Sequence, residues 1–142
     1  MQRTAEARWT GDLKSGKGRI KVGSKAFEGP YSFVSRFEGS GDTNPEELLG
    51  AAHAACYSMA LSLALSLAGH PPTSVDTTAT VTLDKVGNGF AITAIHLRTR
   101  GVVPGVSAAD FRRMAEETKT GCIVSKALAA VPMTLDAELA QA

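Results

Sequence analysis

The sequence predicts an α+β fold in which antiparallel sheets surround a long buried central helix, and three observations carry that prediction. Short β-rich stretches punctuated by glycine open the chain. One uncharged apolar run of helical length occupies its middle. A β-branched hairpin, two further helices and an alternating strand close it. At 142 residues the chain has the size of a single domain, 1–142, able to bury an ordinary hydrophobic core.

Thr4 to Trp9, Gly16 to Val22 and Tyr31 to Phe37 read as strands of a small antiparallel sheet, separated by glycine-containing turns. Asn44-Pro45-Glu46-Glu47 then supplies an N-cap, a proline at the first helical position and two carboxylates at the positive end of a helix dipole. The helix starts at Pro45 and runs to Leu67 or Ala68, where Gly69 and Pro71-Pro72 stop it. Apolar on every side, it demands enclosure on every side. A two-layer domain of this size cannot provide that alone, so a second subunit is expected to supply part of the wrapping, making a homodimer.

Val75 to Leu83 and Phe90 to Arg98 are strands of a hairpin turning at Gly87-Asn88-Gly89. Ser107-Ala108-Ala109-Asp110 resembles a capping box and opens a helix of mixed charge to about Lys119. A break at Thr120-Gly121 precedes a shorter helix, Cys122 to Ala130, and Pro132 leads into the alternating strand Met133 to Leu139. The two cysteines therefore fall on different helices.

Composition excludes several functions. Fifteen basic and fourteen acidic residues leave a formal charge of +1 with no long block of either sign, which argues against nucleic acid. The charged start, Met1 to Glu6, has no apolar stretch of a secretory signal, and a cytoplasmic address is expected. Two cysteines are too few for a disulfide scaffold and do not form the CxxC pairing of a structural zinc site. The glycines at 16, 18, 23, 39 and 41 match no phosphate loop. Leu48 to Gly69 is long enough to cross a bilayer. It is nevertheless rich in alanine, holds His53, Ser58, Ser62 and Ser66, and has no basic flank, so it reads as a core helix rather than a membrane span.

Five side chains carry chemistry, each beside a plainer structural reading. Cys56 lies about three turns into the apolar helix, where low dielectric disfavours a thiolate; unaided, it is an inert core thiol. Activation needs a cation from elsewhere, and Arg36, at the end of an apolar strand, is the candidate; its plain reading is a solvated strand arginine. Glu46 stands near the helix start and can hold a guanidinium in a bidentate pair, or simply compensate the dipole. Cys122 follows Gly121 at the first turn of a helix, a placement that favours a thiolate and equally suits a small packed residue. His53, one turn before Cys56, allows a Cys-His dyad or a metal site with Cys122, or is a core histidine.

Arg36-Phe37-Glu38-Gly39, Asn44-Pro45-Glu46-Glu47-Leu48, Ala51-Ala52-His53-Ala54-Ala55-Cys56 and Gly121-Cys122-Ile123-Val124-Ser125 resemble the osmotically inducible protein C family, relatives of the organic hydroperoxide resistance proteins. The likeness runs nearly end to end, from Trp9-Thr10-Gly11 to the final strand. It also takes in Ser74 to Ala79 and Leu83 to Val86. It implies a tightly intertwined α+β homodimer with two interface sites. By the same resemblance Cys56 is the peroxidatic cysteine, Cys122 the resolving cysteine, Arg36 the activating arginine and Glu46 its carboxylate partner, with the adjacent Glu47 the other candidate for that place.

The implied activity is reduction of organic hydroperoxides in oxidative or osmotic stress defence, with no bound cofactor and an external dithiol or lipoylated reductant. Two rivals stand beside it. One is a non-catalytic dimer in which His53, Cys56 and Cys122 hold a metal ion or small ligand. The other is a cysteine hydrolase with His53 as base, for which no third residue or oxyanion donor is visible.

Overall fold

The computed structural model describes residues 1–39 and 41–140; of the domain expected over 1–142, positions 40, 141 and 142 lie outside the described residues. The chain divides into two compact units, Met1–Leu48 and Leu49–Ala142.

The first unit is a three-stranded antiparallel meander of β1 (Ala5–Thr10), β2 (Lys17–Val22) and β3 (Glu28–Ser32). Tyr31 lies across Gly18 of β2, where any Cβ would collide with its ring at 2.2 Å, and Trp9 packs against the same ring at 5.4 Å between centroids. Pro30 sits in β3 without breaking it because β3 is an edge strand, where a missing amide donor costs no ladder bond.

The strand expected over Tyr31 to Phe37 is not formed; β3 ends at Ser32 and Phe33–Phe37 is a short helix, α1. A reciprocal capping box decides it. Ser32 Oγ accepts the Ser35 amide at 3.1 Å while Ser35 Oγ accepts the Ser32 amide at 2.9 Å, and this outweighs the β preference of Phe33 and Val34. Arg36 thus stands on a helical turn rather than at a strand end.

Helix α2 spans Pro45–Leu67 as expected, with Asn44 Oδ1 accepting the Glu47 amide at 2.9 Å. It ends in a Schellman motif. Gly69 is left-handed at φ 84°, its amide donates to the Ser66 carbonyl, and the His70 amide donates to the Leu65 carbonyl.

In the second unit, β4 (Ser74–Val86) and β5 (Gly89–Val102) form the expected hairpin, and Gly87, φ 58°, takes the first central place of its two-residue turn. Helix α3 (Ala108–Gly121), capped by Ser107 accepting from the Asp110 amide at 3.0 Å, and the short α4 (Ile123–Ala127) lead to β6 (Met133–Ala140). The sheet order is β4-β5-β6, and β6 pairs parallel to β5, which corrects the expectation of purely antiparallel sheets. The two helices between these strands form the crossover that parallel pairing requires.

Residues His53, Tyr57, Leu61 and Leu65, four apart on α2, are fully buried against a core that includes Ile95, Leu97, Phe111 and Ala115. Gly50 is the close-packing point of this helix, since a Cβ there would stand 3.1 Å from the Ala79 carbonyl of β4. The opposite side is open: Met59, Leu63 and Leu67 are 75%, 61% and 81% exposed. A single chain therefore encloses one stripe of the helix and leaves the other outside, so the expected burial on every face is not met within one copy.

Candidate dithiol site

Two pairs of the expected site residues are brought together, one in each unit. In the first unit, the Ser35 hydroxyl donates to the Thr43 carbonyl at 2.8 Å, and Thr43 forms a bridge with Tyr31. This ties the segment before α2 to the end of β3, so the first turn of α2 comes within reach of α1. Arg36 Nη2 and Nε then grip Glu46 at 2.8 and 3.2 Å, and the guanidinium lies 5.4 Å from the Phe37 ring centroid. Glu46 is almost wholly buried, whereas Glu47 instead accepts from the Thr43 hydroxyl at 3.4 Å. Of the two adjacent carboxylates, Glu46 is the one that pairs with Arg36.

In the second unit, Cys56 on α2 and Cys122, the residue joining α3 to α4, are free thiols with the Cys122 Sγ donating to the Cys56 Sγ across 3.2 Å. A disulfide needs about 2.05 Å, so a closure of roughly one ångström joins them. Cys122 is 1% exposed and Cys56 half-buried.

Burial by itself pushes the Cys122 thiol up. The Ser125 amide, the Cys56 thiol, the Ser125 hydroxyl and the Val124 amide act the other way and together hold it below the ordinary thiol range. Cys122 is the N-cap residue of α4 without a side-chain capping hydrogen bond, and the nearby amide and hydroxyl donors favour its charged form. Beside it, Ala60, Leu63, Ala64, Leu67 and Met114 line an apolar cleft of about 310 Å³ with Cys122 in its wall.

Three features of this region were not legible as site residues in the sequence. Ser125 is buried, meets His53, and is among the groups that hold the Cys122 thiol down. The Tyr57 hydroxyl donates to the Ala115 carbonyl at 2.8 Å, and burial, with Glu116 and Cys122 nearby, pushes its phenol well up, so it stays protonated. Ser58 donates to Thr77 at 2.8 Å, and Thr77 meets Thr99 at 3.0 Å, carrying a polar thread from α2 into the sheet. All three depend on partners distant in sequence.

His53 Nε2 meets Ser125 Oγ at 2.7 Å. Among the described residues, no three His, Cys, Asp or Glu side chains form a group able to hold a metal ion, so the His53, Cys56 and Cys122 ion site of the binding alternative is not assembled.

The expectation that both cysteines lie on helices is met by Cys56 alone, since α4 begins at Ile123 and Cys122 caps it. An α+β chain with two free thiols in contact has the elements of a dithiol site. This chain belongs to the OsmC-like protein family, whose profile matches residues 38–136. It is 52% identical over 140 residues to the Peroxiredoxin OsmC of Escherichia coli (strain K12), covering 98% of this chain and 97% of that one. It is 33% identical over 92 residues to the Organic hydroperoxide resistance protein-like 2 of Staphylococcus epidermidis, 63% of each chain. Among solved structures, an organic hydroperoxide resistance protein from Elizabethkingia anophelis matches with a TM-score of 0.77 at 24% identity over 99% of both chains. OhrB of Bacillus subtilis matches with a TM-score of 0.69 at 21% identity over 98% of both chains. The fold is theirs, and it bears out the α+β class expected from the sequence.

Proposed function

We propose that this chain is a cysteine-based peroxidase that reduces organic hydroperoxides to alcohols, with Cys56 as the attacking thiolate and Cys122 as the resolving thiol. The observation that carries the reading is the contact of the two sulfurs at 3.2 Å. The relatives named for peroxiredoxin and hydroperoxide resistance activities support it.

Cys56 attacks one peroxide oxygen, the O–O bond breaks, and the alkoxide leaves as an alcohol after taking a proton. Cys56 is left as a sulfenic acid. Cys122 attacks that sulfur, water departs and a disulfide forms. Arg36, held by Glu46, is assigned to stabilise the Cys56 thiolate and orient the peroxide; their ion pair at 2.8 Å supports that assignment. The apolar cleft beside Cys122 suits an alkyl or lipid-like substituent better than hydrogen peroxide.

No cofactor takes part in this scheme; an external dithiol, of which a lipoyl group is one form, restores the thiols. The functional unit is a homodimer formed from single-domain chains, a reading supported by the exposed Met59, Leu63 and Leu67 side of α2. Free thiols suit a reducing cytoplasm and a role in oxidative or osmotic stress defence.

Cys56→Ser is the deciding variant. It should consume no cumene hydroperoxide with dithiothreitol or dihydrolipoamide as reductant, and wild-type turnover in that variant would overturn the reading.

A further inference from the structure

A buried histidine without a charge partner needs a reason in an otherwise apolar core, because its polar atoms lose water on folding. His53 is fully buried on α2, its Nε2 stands 2.7 Å from the Ser125 hydroxyl, and its Nδ1 has no hydrogen-bond partner among the described residues. Ser125 is itself 3% exposed and stands three residues after Cys122. The peroxidase scheme above uses neither side chain.

The orphaned nitrogen decides which way the hydrogen bond runs. Burial holds His53 below its ordinary value, so the ring is neutral and carries one N–H. Were Ser125 to donate to Nε2, the proton would sit on Nδ1 as a buried donor with no acceptor, a costly arrangement. With the proton on Nε2, the ring donates to Ser125, Nδ1 keeps only a bare lone pair, and the serine hydroxyl hydrogen is free to point elsewhere. The His53–Ser125 and Cys56–Cys122 contacts are two rungs between the same two segments, three residues apart along each. The hydroxyl thus stands one helical turn from Cys122, the N-cap residue of α4, and it is among the groups that hold that thiol down.

We propose that His53 is a positioning residue whose Nε2–H fixes the Ser125 hydroxyl, and that Ser125 in turn donates to Cys122 as a thiolate, readying it to resolve oxidised Cys56. The inference rests on the proposed function, since it gives the serine a part in that reaction's second step. In that step the Cys122 electron pair forms the S–S bond and the Cys56 S–O bond breaks. The hydroxide leaving takes up the proton that Cys122 released and departs as water. Cys122 sulfur is oxidised and Cys56 sulfur reduced by the same amount. The Ser125 hydrogen bond acts on the starting thiolate and is not consumed.

The titratable groups around Cys122 are Cys56 at 3.2 Å and Tyr57 of α2, with Glu116 of α3 acting on the Tyr57 phenol. Tyr57 stays protonated and His53 neutral at neutral pH, so beside burial and the fixed Ser125 and Val124 amides the side chains that set the pH response of Cys122 are Cys56 and Ser125.

The test is alkylation of the reduced full-length protein by iodoacetamide across pH, with the Cys122 peptide quantified separately by mass spectrometry. Ser125→Ala should raise the pH midpoint for Cys122 by about one unit, roughly a tenfold slower reaction at neutral pH. His53→Leu should give the same shift, His53→Gln, whose amide can donate to Ser125, should restore most of it, and the Ser125→Ala, His53→Leu double variant should shift no further. A wild-type Cys122 profile in Ser125→Ala overturns the proposal, as does equal behaviour of His53→Leu and His53→Gln. Ser125→Ala removes only one oxygen and decides the matter even if a His53 variant fails to fold. Alkylation needs no peroxide, so a wild-type protein inert to hydroperoxides would sink the proposed function while leaving this measurement intact. An unshifted Ser125→Ala would sink the serine's role and leave the peroxidase standing.

Discussion

Arg36 holds Glu46 with two nitrogens, at 2.8 and 3.2 Å, and the carboxylate it holds is 7% exposed. A grip of this kind confines the guanidinium in direction as well as distance, which a flexible ammonium cannot reproduce.

Arg36→Ala should therefore lose stability as well as rate. Leaving Glu46 buried without its cation costs about 1–2 kcal/mol, below the figure for fully buried pairs because the Arg36 side chain is 40% exposed. Peroxide turnover at neutral pH should fall about tenfold or more. Arg36→Lys should recover part of the stability in urea unfolding and little of the rate. Wild-type turnover in Arg36→Ala would remove the arginine from the reaction.

Cys122→Ser should permit one oxidation and then stop. A single equivalent of hydroperoxide should leave a Cys56 sulfenic acid that dimedone captures, where the wild type closes to a disulfide across the 3.2 Å contact. Mass spectrometry of the trapped adduct checks this, and steady turnover in Cys122→Ser would contradict the resolving role.

His53 should make stability depend on pH. Its ordinary value is 6.5 and burial lowers it in the folded chain, so below about pH 6.5 the unfolded chain binds a proton that the folded chain refuses. Stability is then undiminished above pH 6.5 and declines as pH falls toward the folded-state value. Urea unfolding should show the wild type losing ground to His53→Gln between neutral and mildly acid pH; parallel curves would show that the histidine does not titrate differently on folding.

Gly101 should tolerate no side chain. A Cβ on this β5 residue would stand 2.5 Å from a ring carbon of the fully buried Phe111. Gly101→Ala should cost about 1–3 kcal/mol in urea unfolding, and Phe111→Leu in the same chain should relieve part of that loss.

What could be read from the sequence was local in origin. Asn44-Pro45 started α2 and Gly69 ended it, Gly87-Asn88 turned the hairpin, and Ser107 capped α3, each through neighbours within a few residues. Phe33 to Phe37 went astray because its capping box uses serine where glutamate is the usual partner, so aromatic and β-branched residues dominated the reading. The third strand was expected only from Tyr31, whereas β3 begins at Glu28 and admits Pro30 because it lies at an edge.

The parallel partner of β5 and the His53–Ser125 contact, which spans 72 positions, are products of tertiary packing that no local pattern encodes. The site residues were legible through motif resemblance. Of their pairings, Arg36 with Glu46 and Cys56 with Cys122 are seen in the fold.

The parallel β5–β6 pair bears on the order in which the protein is made. Cys122 rides on the crossover between those strands, and α3 packs against β6, so the segment is fastened at its far end by residues 133–140, which follow it in the chain. A nascent chain that has completed the hairpin already displays Cys56 but has no anchored thiol opposite it. The sulfur pair is thus completed only after β6 has docked on the hairpin, and removing β6 should disable the chemistry before it disturbs β4 and β5.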